Sequence, residues 1–199
     1  MRLSLDRLAG TDRATITDDP GSDAAVLVPV VDRDDGSWVL YTERATHLST
    51  HAGEMSFPGG NREPDDDDLS ETALREAEEE IGIAREEVEL VGRLADIGAP
   101  HGGRVRPFVA RVPDRTYDPE PAEVSEVVRL RARDLADPAN YSAEHHAGME
   151  GDAETLPYFR VDDVTVWGLT GYLTGRLLQE TAGWSPPPGH PLEHPGAVD

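Results

Sequence analysis

Three glutamates, Glu76, Glu79 and Glu80, stand at positions i, i+3 and i+4 of one short segment. On an α-helix this spacing brings their carboxylates to one face. Like charges so placed destabilise an isolated helix by roughly 0.2–0.5 kcal/mol per pair, whereas a hard divalent cation such as Mg²⁺ or Mn²⁺ prefers such oxygen ligands. The alternative is a solvated acidic face on which Arg75 pairs with Glu79. The spacing alone leaves both interpretations open.

The residues around these glutamates predict the helix that must carry them. Asp68 is suited to the N-cap, and Glu71 stands at the third helical position, where it would complete a capping box. Gly82 is suited to the left-handed conformation just past the C-terminus. The apolar positions recur at helical spacing: Leu74, Ala77 and Ile81. The pattern therefore predicts a helix with one buried stripe and one acidic face.

The segment from Arg75 to Ile83, R-E-A-E-E-E-I-G-I, resembles the second half of the Nudix box, G-x5-E-x7-R-E-U-x-E-E-x-G-U with U apolar. Every fixed position of that half matches. The first half departs from the pattern. Gly60 lies fifteen residues before Arg75, one more than the general pattern has, and the residue eight before Arg75 is Asp67 rather than glutamate.

The residues upstream of the box resemble one branch of the family, the coenzyme A pyrophosphatases, in which the same extra residue is familiar. The branch signature T-x-R-S/A…H-x-G-E-x-x-F-P-G-G is similar to three stretches: Tyr41-Thr42-Glu43-Arg44-Ala45, His51-Ala52-Gly53-Glu54 and Phe57-Pro58-Gly59-Gly60. Val166-Trp167-Gly168-Leu169-Thr170 also resembles the late W-G-x-T segment of that branch. The resemblance covers about residues 22–180 and implies a mixed sheet sandwiched between helices.

The resemblance also implies roles for individual residues. Glu76, Glu79 and Glu80 would be the metal ligands for Mg²⁺ or Mn²⁺, with Glu79 and Glu80 central to catalysis. Arg75 would orient these carboxylates by ion pairing, and the Gly59-Gly60 backbone would shape the site. A further glutamate commonly comes from a later strand or loop. Glu126 is the first candidate for this metal ligand or general base and Glu123 the second; both are equally compatible with being ordinary exposed glutamates.

The implied substrate is a small molecule containing a nucleoside diphosphate linkage. The branch signature would place Arg44, His51 and Glu54 near it. Coenzyme A carries a 3′-phosphate, for which arginine is a suitable bidentate partner. The sequence does not choose among four candidate arginines: Arg44, Arg62, Arg104 and Arg106.

Three functions compete. The first is metal-dependent hydrolysis of the pyrophosphate bond of coenzyme A or its derivatives, giving 4′-phosphopantetheine and adenosine 3′,5′-bisphosphate. The second is the same chemistry on another compound, such as ADP-ribose, a dinucleoside polyphosphate or an oxidised nucleotide. The third is a non-catalytic Nudix module that senses a nucleotide. Loss of box carboxylates would favour the third, and here all three are present.

Composition narrows the partners and the setting. The 199 residues contain no cysteine, 40 acidic residues and 18 basic ones, all of them arginine, for a net charge of −22. This acidity favours a halophilic-type adaptation to concentrated salt, which screens self-repulsion. The absence of a basic footprint argues against nucleic acid. No apolar run approaches the roughly 20 residues of a membrane helix, so a cytoplasmic protein is expected. The oligomeric state, a homodimer included, stays open.

Hydrophobic periodicity predicts an α/β (α+β) domain in which strands outnumber helices. The predicted strands cover residues 24–31, 38–44, 88–94, 105–112, 124–130, 158–161 and 164–167. Pro29 in the first of them suggests an edge or a bulge. A short helix is expected at 133–138 and a closing helix at 168–180. Residues 1–21 form an N-terminal segment, 22–180 the Nudix domain, and 181–199 a Pro/Gly-rich tail expected to be mobile.

Overall fold

The computed structural model describes residues 1–10, 13–16, 23–48, 51–99, 103–147 and 153–193. Within these ranges the chain forms a mixed sheet of eight strands, a second antiparallel sheet of three strands and three α-helices. The predicted α+β class is therefore confirmed. None of the described helices is both long and apolar enough to cross a lipid bilayer.

The large sheet is built around its first strand. Its strands are β1 (Asp23–Arg33), β2 (Gly36–Arg44), β3 (Met55–Ser56), β4 (Gly59–Asn61), β5 (Glu89–Arg93), β6 (Ile97–Ala99), β7 (Gly103–Arg111) and β8 (Val124–Arg131). β7 runs parallel to β1 along one side, and β2 and β4 pair antiparallel with the two halves of its other side. β2 also pairs with β8 and, near its end, with β3.

The two faces of this sheet carry different elements. The helices are α1 (Leu69–Ile81), α2 (Ala132–Leu135) and α3 (Gly168–Ala182), and the small sheet contains β9 (Tyr141–Ala147), β10 (Ala153–Val161) and β11 (Val164–Trp167). Leu27 of β1 belongs to the core cluster that contains Ala77 of α1. Val28, the next residue, belongs to the cluster that contains Leu173 of α3. Because side chains alternate along a strand, α1 covers one face, and α3 with the small sheet covers the other.

The prediction that Pro29 marks an edge strand or a bulge is wrong, because β1 is a central strand. The Leu27 N–H donates to the Pro58 carbonyl at 2.8 Å, on the side where β4 pairs. The backbone nitrogen of Pro29, two residues later, points to that same side. On this side the pairing with β4 ends at Val26 and the pairing with β2 begins at Val30, so Pro29 lies between the two partner strands. No strand there requires an N–H from residue 29, so proline is tolerated.

Both terminal segments contact the domain where they are described. Leu5–Leu8 forms a 3-10 helix, and Leu5 and Leu8 are buried in the core. Beyond α3, the Trp184 ring packs edge-on against Tyr141 with centroids 5.1 Å apart, and the Tyr141 hydroxyl donates to the Pro191 carbonyl at 3.1 Å. Residues 11–12, 17–21 and 194–199 of the two segments lie outside the described residues. The domain boundaries at 22 and 180 stay a prediction.

Candidate active site

The ends of α1 form largely as predicted. Asp68 is the N-cap, and its Oδ1 accepts hydrogen bonds from the N–H groups of Ser70 at 2.7 Å and Glu71 at 3.2 Å. Gly82 follows the helix with a φ of 64°, the left-handed conformation that favours glycine. The predicted capping box is only half formed, because the Glu71 carboxylate pairs with Arg85 instead. The helix therefore begins and ends at defined residues, which fixes the positions of the glutamates along it.

Two glycines of β4 allow the backbone to lie directly against these carboxylates. A Cβ at Gly60 would lie 2.3 Å from Oε1 of Glu76. A Cβ at Gly59 would lie 2.3 Å from the carbonyl oxygen of Ala25. The Gly59 N–H favours the charged form of the Glu80 carboxylate and so opposes the rise of its pKa. A side chain at Gly60 would displace the Glu76 carboxylate, and one at Gly59 would push β4 away from β1.

Glu80 is the most deeply buried of the three α1 glutamates, with 5% of its surface exposed. Burial raises its pKa to about 8, and the negative charges of Glu76 and Glu123 raise it further, while the Gly59 N–H and Arg44 oppose the rise. Burial also raises the pKa of Glu76, which Arg75 counteracts. The negative charges of these buried carboxylates repel one another, and the neighbouring arginines do not fully neutralise them. A cation placed among them would supply the missing positive charge.

Arg75 lies between the acidic face and the loop that precedes the helix. Its Nη1 donates to Oε1 of Glu76 at 3.0 Å and to Oε2 of Glu79 at 3.2 Å. Its Nε and Nη2 donate to the two oxygens of Asp66 at 3.1 Å and 3.2 Å, and Nη2 also donates to the Asn61 carbonyl at 3.1 Å. The ion pair expected between Arg75 and Glu79 is therefore present, and it is one part of a larger network.

Asp66 is the residue of this network that sequence reasoning missed. Counting along the general pattern led to Asp67, but Asp67 is exposed and Asp66 is buried, 8% exposed. The hydrogen bonds from Arg75 hold the pKa of Asp66 well below its usual range. The extra residue before the helix is accommodated in the loop, so the acidic partner lies nine positions before Arg75. Within a run of four aspartates the sequence offered no signal to select it.

Arg44 differs from the other three arginines considered for a substrate phosphate. Those three are already bonded: Arg104 to Asp23 at 2.6 Å, Arg106 to Asp96 at 2.7 and 2.8 Å, and Arg62 to the carbonyls of Asp66 and Asp67 at 2.9 and 3.1 Å. Among the described residues, none accepts a hydrogen bond from the buried Nε of Arg44. Its charge nevertheless acts on Glu80. Arg44 is thus a half-buried cation beside the α1 carboxylates.

The structure does not bring Glu126 together with these carboxylates. Glu126 pairs with Glu43 across β8 and β2, and both line a cavity of about 370 Å³ together with Glu54, Asp163 and Trp167. The same cavity is lined by Met55, Val128 and Val164, which pack against the core cluster of α3. It therefore lies on the face opposite α1. Glu123, the second candidate, is close enough to raise the pKa of both Glu76 and Glu80.

His51 and Glu54 lie in the loop between β2 and β3. Nδ1 of His51 is 2.8 Å from Oε2 of Glu54, and the His51 side chain is largely exposed. The carbonyl of Glu54 accepts the N–H of Arg44 at 3.0 Å. The backbone thus links this loop to Arg44, although the Glu54 side chain lines the cavity on the opposite face.

The donor set of α1 suits a hard divalent cation. Glu76, Glu79 and Glu80 offer only carboxylate oxygens, which Mg²⁺ and Mn²⁺ prefer. In the part of the chain that is described, no three acidic or histidine side chains already converge as a finished metal site. Arg75 holds one oxygen each of Glu76 and Glu79. The deficit of positive charge around Glu80 is the observation that fits a bound cation.

Comparison with known proteins decides the family. Residues 21–159 match the family model of the NUDIX domain. A Yersinia enterocolitica protein named "Uncharacterized Nudix hydrolase NudL" is 36% identical over 159 residues, covering 79% of this chain and 80% of that protein. The protein of the same name from Yersinia pestis strain Pestoides F is 36% identical over 163 residues, covering 80% and 79%. This chain belongs to the Nudix family. Nudix hydrolases generally use divalent metals such as Mg²⁺ or Mn²⁺, in agreement with the donor set of α1.

Solved Nudix structures align with parts of the chain. A C. elegans Ap4A hydrolase in a binary complex is 19% identical, with a TM-score of 0.47 over 57% of this chain and 82% of that one. The NUDIX domain of Shewanella oneidensis NrtR, complexed with ADP ribose, is also 19% identical, with a TM-score of 0.46 over 63% and 77%.

Proposed function

We propose that this Nudix hydrolase cleaves the pyrophosphate bond of coenzyme A or its derivatives, giving 4′-phosphopantetheine and adenosine 3′,5′-bisphosphate. The observation that carries the proposal is the position of Arg44, a half-buried cation beside the α1 carboxylates whose Nε has no hydrogen-bond partner among the described residues. The resemblance of the surrounding signature to the coenzyme A branch supports the same substrate.

The glutamates of α1 and Arg75 have different roles in the proposed reaction. Glu76, Glu79 and Glu80 would hold the divalent cation, which when bound neutralises phosphate charge and lowers the pKa of a coordinated water. Arg75 keeps the carboxylates of Glu76 and Glu79 in place. Glu123 replaces Glu126 as the candidate for a further ligand or general base, because it acts on both Glu76 and Glu80.

Arg44 would bind a phosphate of the substrate. A chain with a net charge of −22 repels a polyanion at long range, so affinity must come from local positive charge. An arginine with unused donors can bind a phosphate through charge-assisted hydrogen bonds, which are about twice as strong as neutral ones. For coenzyme A we assign this role to the 3′-phosphate, which ADP-ribose lacks.

A substrate panel tests the proposal. Coenzyme A, dephospho-coenzyme A, ADP-ribose and a dinucleoside polyphosphate are each incubated with Mg²⁺ and with Mn²⁺ in high salt, and the products are identified. We expect coenzyme A to be cleaved between its two 5′-linked phosphates, with kcat/KM more than about tenfold above that of dephospho-coenzyme A. A preference for ADP-ribose, or equal cleavage of both coenzyme forms, would contradict the coenzyme A assignment.

Two arginine variants sharpen this test. Arg44→Ala should lower kcat/KM for coenzyme A more than for dephospho-coenzyme A and so narrow the gap between them. Arg133→Ala is the matched control, because Arg133 is exposed and forms an ion pair with the neighbouring Asp134 at 3.4 Å, at a distance from the α1 carboxylates. The control should leave the gap unchanged. Should no diphosphate compound be cleaved with either metal, the protein would instead be a nucleotide-sensing module.

A further inference from the structure

The loop between β7 and β8, residues 112–123, lies against the C-terminal end of α1. The Glu120 N–H donates to the Glu80 carbonyl at 2.9 Å, and Nη2 of Arg115 donates to the Gly82 carbonyl at 3.0 Å. The Asp118 backbone packs on Gly82, where a Cβ would lie 3.1 Å from the Asp118 carbonyl oxygen. The last carbonyls of a helix lack partners within the helix, and here the β7–β8 loop provides donors for that end.

Arg115 is the side chain of this loop with the most contacts to the elements around it. Its Nε and Nη2 donate to the two carboxylate oxygens of Glu87 at 2.8 and 2.6 Å, and its guanidinium lies 4.7 Å from the centre of the Tyr117 ring. Arg129 lies over the same ring and donates to the Arg115 carbonyl. Tyr117 is buried in the core cluster that contains Ile81 of α1. Because the last turn of α1 contains no basic residue, Arg115 also supplies the positive charge that a helix C-terminus favours.

The end of the same loop determines where Glu123 lies. The N–H groups of Glu123 and Val124 donate to the Glu120 carbonyl at 3.0 and 2.9 Å, so residues 120–124 form one tight turn. The Glu123 carbonyl accepts the N–H of Ala45, directly after Arg44, at 2.8 Å. The turn therefore joins the end of α1 to the end of β2.

The side chain of Glu123 is exposed, so the backbone of the turn rather than core packing determines where this side chain begins. The turn contacts α1 through Glu120, and the loop before it contacts α1 through Arg115. Without Arg115, the loop would lose its ion pair to Glu87 and its bond to the Gly82 carbonyl. The turn would then be free to move away from α1, and Glu123 would move with it.

We propose that Arg115 is a positioning residue that fixes the β7–β8 loop on the end of α1 and thereby places Glu123 beside Glu76 and Glu80. The proposal rests on the proposed role of Glu123 as a further metal ligand or general base. The competing explanation is that Arg115 only stabilises the fold, by capping α1 and pairing with Glu87. The two explanations differ in whether Arg115 affects turnover through Glu123 or affects only stability.

A double-mutant cycle separates the two explanations. For wild type, Arg115→Ala, Glu123→Gln and the double variant, kcat and KM are measured at saturating Mn²⁺ in high salt. The substrate is the compound of the panel that wild type cleaves fastest, so a wrong assignment of coenzyme A does not affect the result. Melting temperatures of the same four proteins report stability separately.

Arg131→Ala is the matched control for the loss of an arginine that stacks on an aromatic ring. The side chains of Arg115 and Arg131 are similarly exposed, at 33% and 41%. The Arg131 guanidinium lies 4.4 Å from the centre of the Trp38 ring and pairs with Asp35 at 3.6 Å and with Asp134 at 3.5 Å. These partners belong to β2, to the β1–β2 turn and to α2.

We expect Arg115→Ala to lower kcat by about fivefold or more with KM changed less than about twofold, and Arg131→Ala to stay within about twofold of wild type. The double variant should have the kcat of Glu123→Gln within about twofold, because both changes remove the action of one carboxylate. Arg115→Lys should be intermediate, since lysine keeps the charge but cannot form the bidentate pair with Glu87. If Arg115→Ala does not fold, Arg115→Lys takes its place in the cycle.

Three results would overturn the proposal. A double variant whose kcat falls by the product of the two single effects would show that Arg115 and Glu123 act independently. An Arg115→Ala protein that melts lower but keeps kcat within about twofold of wild type would show a role in stability alone. If Glu123→Gln keeps the turnover of wild type, Glu123 has no role in the reaction and Arg115 positions nothing, although the hydrolase activity itself stands.

Discussion

Two groups of carboxylates lie on opposite faces of the same sheet, and they differ in their burial and in the positive charges around them. On the α1 face, Glu80 is buried beside Glu76, and two arginines lie close to them. On the other face, Glu126 is exposed at a cavity of about 370 Å³, with Trp167 in its wall. Only the first group combines burial, repulsion between carboxylates and a rigid arginine.

The difference shows that the environment rather than the number of acidic residues identifies the site. In a chain with 40 acidic residues, clusters of carboxylates arise without function. Burial raises the free-energy cost of leaving a carboxylate charged, and a nearby cation or hydrogen-bond donors offset that cost. This cost should separate the α1 face from the cavity in turnover, in pH dependence and in salt dependence.

The largest effect is expected on turnover when carboxylates of α1 are neutralised. Glu79→Gln and Glu80→Gln should each lower kcat by at least about a hundredfold, because each removes a proposed metal ligand and a bound metal contributes several kcal/mol to the transition state. Steady-state kinetics at saturating Mn²⁺ measure this, with circular dichroism to verify the fold. Near-wild-type turnover in both variants would show that the metal does not bind here.

An intermediate effect should distinguish the two candidates for the further glutamate. Glu123→Gln should lower kcat about tenfold or more, because Glu123 acts electrostatically on Glu76 and Glu80. Glu126→Gln is its matched control and should stay within about twofold of wild type, since Glu126 lies on the opposite face. The reverse order in the same kinetic assay would return the role to Glu126.

A smaller effect should appear in the pH dependence of stability without metal. The folded state raises the pKa of Glu80 to about 8, so the fold favours its protonated form. The stability that Glu80 contributes is complete below its ordinary pKa and is lost as the pH rises toward 8. In EDTA, the unfolding free energy of wild type should therefore fall relative to that of Glu80→Gln between about pH 4.5 and 8. Urea denaturation of both proteins at several pH values measures this difference, and parallel curves would contradict the account.

The smallest effect concerns salt. With a net charge of −22, the melting temperature should rise with ionic strength, because the Debye length shortens from about 30 Å at 0.01 M to about 3 Å at 1 M. Glu126→Gln should raise the melting temperature slightly in low salt and not in high salt, since exposed charges are screened most. For Glu80→Gln the difference from wild type should persist in high salt. Melting curves across a salt series test this, and a wild-type melting temperature independent of salt would mean that the acidity has another cause.

Much of the fold could be predicted because local signals agreed with it. The N-cap at Asp68, the glycine at 82 and the apolar stripe between them each specify α1, and the structure confirms all three. Strand β9, Tyr141–Ala147, was missed because its sequence lacks a clear apolar alternation and depends on pairing with β10. The error at Pro29 has a similar origin, since periodicity does not reveal which strands flank a given one.

The sequence predicts which residues of the candidate site lie together where helical spacing determines it. It does not predict this where strand register or the path of a loop decides. The acidic face of α1 follows from helical spacing, but the face of a strand residue depends on register. β2 and β8 change register between Glu43 and Arg44, which leaves Ser125 without a partner residue, and Glu126 points away from α1. The choice of Asp66 over Asp67 likewise depends on the path of the loop. Neither the register shift nor the loop path is visible in the sequence.

The position of a bound Mn²⁺ ion would show which of the two groups of carboxylates holds the metal. Crystals grown with Mn²⁺ and measured at the manganese absorption edge would locate the ion by its anomalous scattering. We expect a peak bonded to carboxylate oxygens of Glu76 and Glu80 on the α1 face. A peak in the cavity beside Glu43 and Glu126, with none on the α1 face, would contradict it.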